Sequence, residues 1–197
     1  MQKILSLLAF VACCLPAAAG EIFSAYTDLD PANDCTTFAA AQDGEGDWAN
    51  LACTGYRGYP VILYSADLRE SVFYGFPPGG DIAPAWESFS AFNSVGPKIE
   101  WRIETEGAVA IPFAAIHRWK VSNAEDPDRQ TEILVVEKVG QIHAREGCAV
   151  GLVLATGNPD ANVAARRIAD ERAKDFACGV DERVVIGTVP DFSRAEN

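Results

Sequence analysis

The sequence predicts an α+β fold: a mainly antiparallel β-sheet with one long C-terminal helix packed on one face. Three observations predict it. Ile99, Trp101 and Ile103 alternate with Glu100, Arg102 and Glu104, the period-2 pattern of a half-buried strand. Residues 150–155 form a nearly unbroken apolar run, which suits a strand buried on both faces. Beyond that run, Asn158 and Pro159 open a stretch of strong helix formers that reaches Gly179. Asn158 is a good N-cap, Pro159 suits the first helical position, Asp160 complements the positive helix end, and Gly179 offers a left-handed stop.

From the N-terminus, residues 1–19 read as a secretory signal. Lys3 gives the positive start, residues 4–14 an apolar core too short for a membrane span, and Ala17-Ala18-Ala19 a small-residue cleavage site. Cys13 and Cys14 raise the question of lipidation, but no leucine-led lipobox precedes them. Residues 20–197 then form a single disulfide-stapled α+β domain. Removal of 19 of the 197 residues takes away Lys3 and no acid, so the formal charge moves from −12 to −13. That charge argues against nucleic acid and anionic membrane surfaces as partners, and it favours solubility and basic partners.

Four of the six cysteines stay in the mature chain: Cys35, Cys53, Cys148 and Cys178. An even number in an oxidising compartment predicts two disulfides. A strand over 148–156 spans roughly 26 Å at about 3.3 Å per residue. A helix over 159–178 returns roughly 28 Å at about 1.5 Å per residue. The match predicts a Cys148–Cys178 bond and leaves Cys35 with Cys53. No cysteine pair has C-x-x-C spacing, so no zinc site is expected.

Residues 21–50 read as loop-rich. The Asp43-Gly44-Glu45-Gly46-Asp47 alternation resembles the start of a calcium loop, but Trp48 and Thr54 stand where a glycine and a glutamate belong, so a solvated turn is expected. Strands are predicted over 51–56, 60–64 and 71–76, joined by turns containing Gly58 and Asp67. Pro84 starts a predicted short helix carrying Trp86 and Phe89. Further strands are expected over 99–104, 111–121, 132–139, 141–145 and 183–186. The charged side of the 99–104 strand is expected to face water. On the long helix, Ala161, Ala164, Ala165, Ile168, Ala169 and Phe176 share one face with Arg172 in its middle. Arg172 is read either as a structural residue whose stem covers apolar surface or as a buried cation for an anionic ligand.

No G-x-S-x-G motif, metal cluster or phosphate loop stands out, and no cofactor or metal is expected. His117 lies in phase with Phe113, Ala115 and Trp119 and reads as a satisfied core histidine rather than a base; His143 reads as exposed. Tyr56-Arg57-Gly58-Tyr59 places two aromatics around a guanidinium at a turn anchored by Cys53, the residue types of recognition hot spots, with the rings expected outward. Candidate binding residues are therefore Tyr56, Arg57, Tyr59 and Arg172.

The segments from Cys53 to Pro60 (Cys-Thr-Gly-Tyr-Arg-Gly-Tyr-Pro), Glu100-Trp101-Arg102, His117-Arg118-Trp119 and Asn158-Pro159-Asp160-Ala161-Asn162 resemble uncharacterised secreted proteins of Gram-negative bacteria. That resemblance implies a compartment and no activity. The expected function is a periplasmic or secreted binding protein whose partner is a protein or envelope component, with no transmembrane segment in the mature chain. An envelope hydrolase using carboxylate chemistry and a structural envelope component are the alternatives.

Overall fold

A computed structural model describes residues 20–78, 85–123, 126 and 129–196. The predicted signal, with Cys13 and Cys14, and Pro84 lie outside the described residues. The fold is roughly α+β but mostly β. Twelve strands are described: β1 (Ile22–Asp28), β2 (Cys35–Ala40), β3 (Trp48–Cys53), β4 (Val61–Ala66), β5 (Arg69–Tyr74), β6 (Ala85–Phe89), β7 (Asn93–Glu106), β8 (Val109–Ser122), β9 (Gln130–Lys138), β10 (Ala149–Leu154), β11 (Val184–Ile186) and β12 (Phe192–Glu196). One helix, α1 (Ala161–Arg172), follows β10. A six-stranded sheet runs in the order β1-β7-β8-β9-β10-β11, a four-stranded sheet β2-β3-β4-β5, and a ribbon pairs β12 with β6. All neighbours are antiparallel except β10 and β11.

Several expectations are corrected. Residues 21–50, read as loop-rich, contain β1, β2 and the start of β3. The expected helix after Pro84 is the strand β6, because Glu87 and Phe89 are buried and the segment pairs register by register with β12. Residues 141–145 turn instead of forming a strand, closing through the Arg145 N–H to Gln141 carbonyl bond (2.7 Å). The helix is shorter than the predicted 159–178. Asn158 Oδ1 accepts the Asp160 N–H (3.1 Å) just ahead of it. Past Arg172 the Phe176 carbonyl bonds to Lys138 Nζ (2.7 Å) in place of a helical donor.

Alternate residues of the large sheet feed two apolar clusters. Trp101, Ala115, Trp119, Ile133, Val135 and Leu152 join Val61, Leu63, Val72 and Tyr74 of the four-stranded sheet and Phe89 of β6. Ala114, Ile116, Leu134, Val136, Val150 and Val153 join Ala161, Ala165, Ile168 and Ala169 of α1. The small helix residues allow close approach, and each large buried aliphatic contributes roughly 1.5–3 kcal/mol. Two disulfides staple the fold. Cys35–Cys53 ties β2 to β3, and Cys148–Cys178 ties the start of β10 to the segment after α1 with Cα atoms 5.8 Å apart. One backbone crossing demands glycine: at Gly75 (φ 88°) a Cβ would stand 2.2 Å from the Gly140 carbonyl oxygen.

Candidate functional site

The residues singled out by sequence do not assemble into one site. Tyr56 and Arg57 begin a single 3-10 turn over Tyr56–Gly58. Both tyrosine rings turn inward, against the expectation that they face out. Tyr56 is half-buried with its centroid 6.4 Å from Trp101; Tyr59 packs 5.2 Å from Phe76 and donates its hydroxyl to Gln141 Oε1 (3.0 Å). The apolar ring bodies find the core beneath the turn, so only Arg57 is presented, stacked 5.4 Å over the Tyr56 ring. Its φ of 45° is a left-handed conformation that non-glycine residues seldom adopt. Arg172, placed by periodicity inside the apolar face of the helix, is exposed as the last residue of α1, and the buried side passes to Ala173 and Phe176.

The helix cations that do meet the sheet are others. Glu100 and Arg102 on β7, expected to be wet, are 7% and 8% exposed. Arg166 Nε donates to Glu100 Oε1 (2.6 Å), Arg102 reaches both oxygens of Asp170 (2.8 and 2.7 Å), and Lys174 Nζ reaches both oxygens of Glu104 (3.0 Å each). The two-residue step of the strand thus meets a four-residue step along α1 and the turn after it, with alternating charge. Ser24 of β1 bridges two rungs, donating to Glu100 (2.5 Å) and accepting from Arg102 (2.5 Å).

His117 is fully buried, as its strand phase predicts. Its Nε2 lies 2.6 Å from the Gly96 carbonyl, which only accepts, so Nε2 carries the proton and donates. Nδ1 is therefore the acceptor, and the Tyr74 hydroxyl donates to it at 2.6 Å. Burial lowers the His117 pKa to about 4 and, first among its causes, holds that of Tyr74 well above the ordinary tyrosine value. The pair is a neutral, satisfied core contact at pH 7 and not a base.

Two carboxylates converge in the same inter-sheet layer. Glu137 stands on β9 in phase with Ile133 and Val135 and opposite Ala149; Glu87 of β6 accepts the Ala149 N–H at 2.8 Å. They are 3% and 6% exposed. Burial pushes Glu137 well above the ordinary carboxylate range, assisted by the charge of Glu87 and opposed by Arg183 and Arg194. Burial likewise raises Glu87, against the Ala149 hydrogen bond and the same two arginines. Arg183 lies 3.5 Å and Arg194 3.7 Å from Glu87 Oε1. Sequence reasoning missed this cluster, although the phase of Glu137 with Ile133 and Val135 is the signal that marks an inward carboxylate.

Arg183 links the cluster to the surface. It stacks 5.0 Å over the Phe192 ring, donates to the Phe192 carbonyl (3.2 Å) and lines an open groove of about 460 Å³ beside β11. Leu152, Val185, Val189 and Phe192 give the groove its apolar part, and Asp181, Glu182 and Asp191 its charge. Among the described residues no group of three or more His, Cys, Asp or Glu could hold a metal ion, and no helix is long and apolar enough to cross a membrane. No protein-family model, curated protein or solved structure matches the chain.

Proposed function

We propose that the protein is a periplasmic or secreted binding protein that captures an extended basic segment of a partner protein along the β11 groove. The observation that carries this reading is the combination of an edge strand with an acidic, part-apolar trough. β11 ends the six-stranded sheet, and among the described residues no strand pairs on its outer side. Beside it, three acids face one arginine that is already engaged by Glu87 and the Phe192 carbonyl. An added strand would take main-chain hydrogen bonds from such an edge and place basic side chains against the acids. In this reading α1 lies on the sheet face away from the groove, in support of which its buried residues share a cluster with Ile116, Leu134 and Val150. The two disulfides support an oxidising compartment, in line with the predicted signal and the resemblance to secreted proteins. The burial of Glu87 and Glu137 favours binding over carboxylate hydrolysis.

Fluorescence anisotropy with a labelled seven-residue peptide of alternating valine and lysine tests this. The peptide should bind, its glutamate counterpart should not, and affinity should fall with salt. Glu182→Lys, at an exposed position, should weaken binding about tenfold, or about 1.4 kcal/mol. Equal binding of both peptides, or no effect of Glu182→Lys and Val185→Asp, would overturn the reading.

A further inference from the structure

A second hollow, which shares no lining residue with the groove, lies where the segment after α1 meets β8 and β9. It measures about 360 Å³, within the range of small-ligand sites. Ile111, Phe113 and Val139 line it with apolar surface, and Lys138 and Lys174 bring two ammonium groups. In a chain with 28 acids against 16 lysines and arginines, this convergence of cations is unusual. His143, exposed, adds a ring nitrogen, and Glu104 is the acid in the described lining.

Each ammonium retains hydrogen-bonding capacity. Lys138 Nζ donates to Glu146 Oε2 (2.7 Å) and the Phe176 carbonyl (2.7 Å), and Lys174 Nζ to the two oxygens of Glu104 (3.0 Å each), which uses two of three N–H groups in each case. Lys174 also sits 5.4 Å over the Phe113 ring, so the cation and the apolar surface are adjacent. The wall is rigid. Gln141 donates to the Pro112 (2.8 Å) and Val139 (3.1 Å) carbonyls while accepting from Tyr59, so this side chain is already held in place and costs little to order on binding.

We propose that this pocket binds a small carboxylate with an apolar body, the carboxylate received by the spare donors of Lys138 and Lys174 and the body laid against Phe113, Ile111 and Val139. This site is separate from the peptide groove and stands or falls independently of it.

Octanoate and octanol differ in the head group alone and serve as paired probes, followed by amide chemical shifts of the isotope-labelled mature protein. Octanoate should shift resonances of Phe113, Val139, Ala173 and Lys174, with octanol at least tenfold weaker. Lys174→Met should weaken octanoate about tenfold and leave octanol unchanged. Glu104→Gln, which keeps both ammonium groups and removes a competing carboxylate, should tighten octanoate binding even if the lysine variant folds poorly. Equal affinity for the two probes, shifts elsewhere in the chain, or weaker binding by Glu104→Gln would overturn the proposal. An outcome in which the lysines staple the helix end and nothing more would show as lowered thermal stability of Lys174→Met with no octanoate binding by the parent protein.

Discussion

Along β7, Glu100, Arg102 and Glu104 each pair with one opposite charge from α1 or the turn after it, while in the layer between the sheets Glu87 lies 3.5 Å from Arg183 and 3.7 Å from Arg194, whose charges also act on Glu137. The partner cations reach water, with Arg166 and Lys174 38% and 40% exposed. One-to-one pairing at a part-solvated boundary satisfies the charges cheaply, whereas burial dominates the inter-sheet carboxylates and raises their pKa. The first arrangement fixes where a helix sits on a strand; the second stores ionisation cost at the junction of three β-sheets. Perturbing each side separately distinguishes the two roles.

The largest effect should come from the staple on the helix side. Cys148–Cys178 closes a separation of 30 residues, worth about 3–4 kcal/mol in the chain-entropy model, so Cys178→Ser should lower Tm sharply. Cys35–Cys53, with a separation of 18, should cost slightly less when broken. Chemical denaturation of the two variants would check the order.

In the inter-sheet layer the expected effects depend on pH. His117 has a folded pKa of about 4 against an ordinary 6.5, so the unfolded chain binds the extra proton between these values. Its contribution is complete above pH 6.5 and falls as pH drops to 4, by about 3 kcal/mol from the size of the shift. The two acids act oppositely. With folded pKa values above the unfolded ones, Glu137 and Glu87 favour folding most at low pH and lose that contribution as pH rises from about 4.5 through their raised values. Glu137→Gln should therefore flatten the high-pH loss of stability while leaving the His117 limb intact, in denaturation midpoints measured from pH 4 to 9. A parallel loss in both proteins above pH 5 would contradict the burial argument.

A milder change should follow from unpairing Arg102. Asp170→Ala leaves a guanidinium that is largely buried but still bonded to Ser24, and Asp170 itself is 29% exposed, so a cost of about 1–2 kcal/mol is expected. A double-mutant cycle of Arg102→Met with Asp170→Ala measures it.

Much of the inner layer was legible from sequence because period-2 alternation speaks directly: Ile99, Trp101 and Ile103 mark an inward face, and His117 falls in line with Trp119. The disulfides were legible because chain lengths set reach. What could not be read was the partner across a face. Alternation assigns Glu100 and Arg102 to the side away from the tryptophans, but only their tertiary bonds to Arg166 and Asp170 show that these two residues are engaged, so they looked wet. β6 was misread because Trp86 and Phe89 are also compatible with helical spacing, and its pairing with β12 comes from a strand about a hundred residues later. The turn tyrosines were placed outward because local composition carries no information about the Trp101 and Gln141 contacts awaiting them.

The smallest effect concerns the two helix arginines that periodicity would rank the other way. Arg172 sits in the middle of the projected apolar face yet is exposed, whereas Arg166 crosses to Glu100 and to the Tyr26 hydroxyl (3.2 Å). Arg172→Met should change stability by less than about 0.5 kcal/mol, as surface substitutions generally do. Arg166→Met should cost more, about 1 kcal/mol, because it leaves Glu100, a carboxylate 7% exposed, with Ser24 as its remaining donor. Thermal melts of the two variants side by side give the ranking. If Arg172→Met proves the more damaging, the projected face and not the observed ladder describes how α1 meets the sheet, and the one-to-one pairing that distinguishes this side from the inter-sheet layer is lost with it.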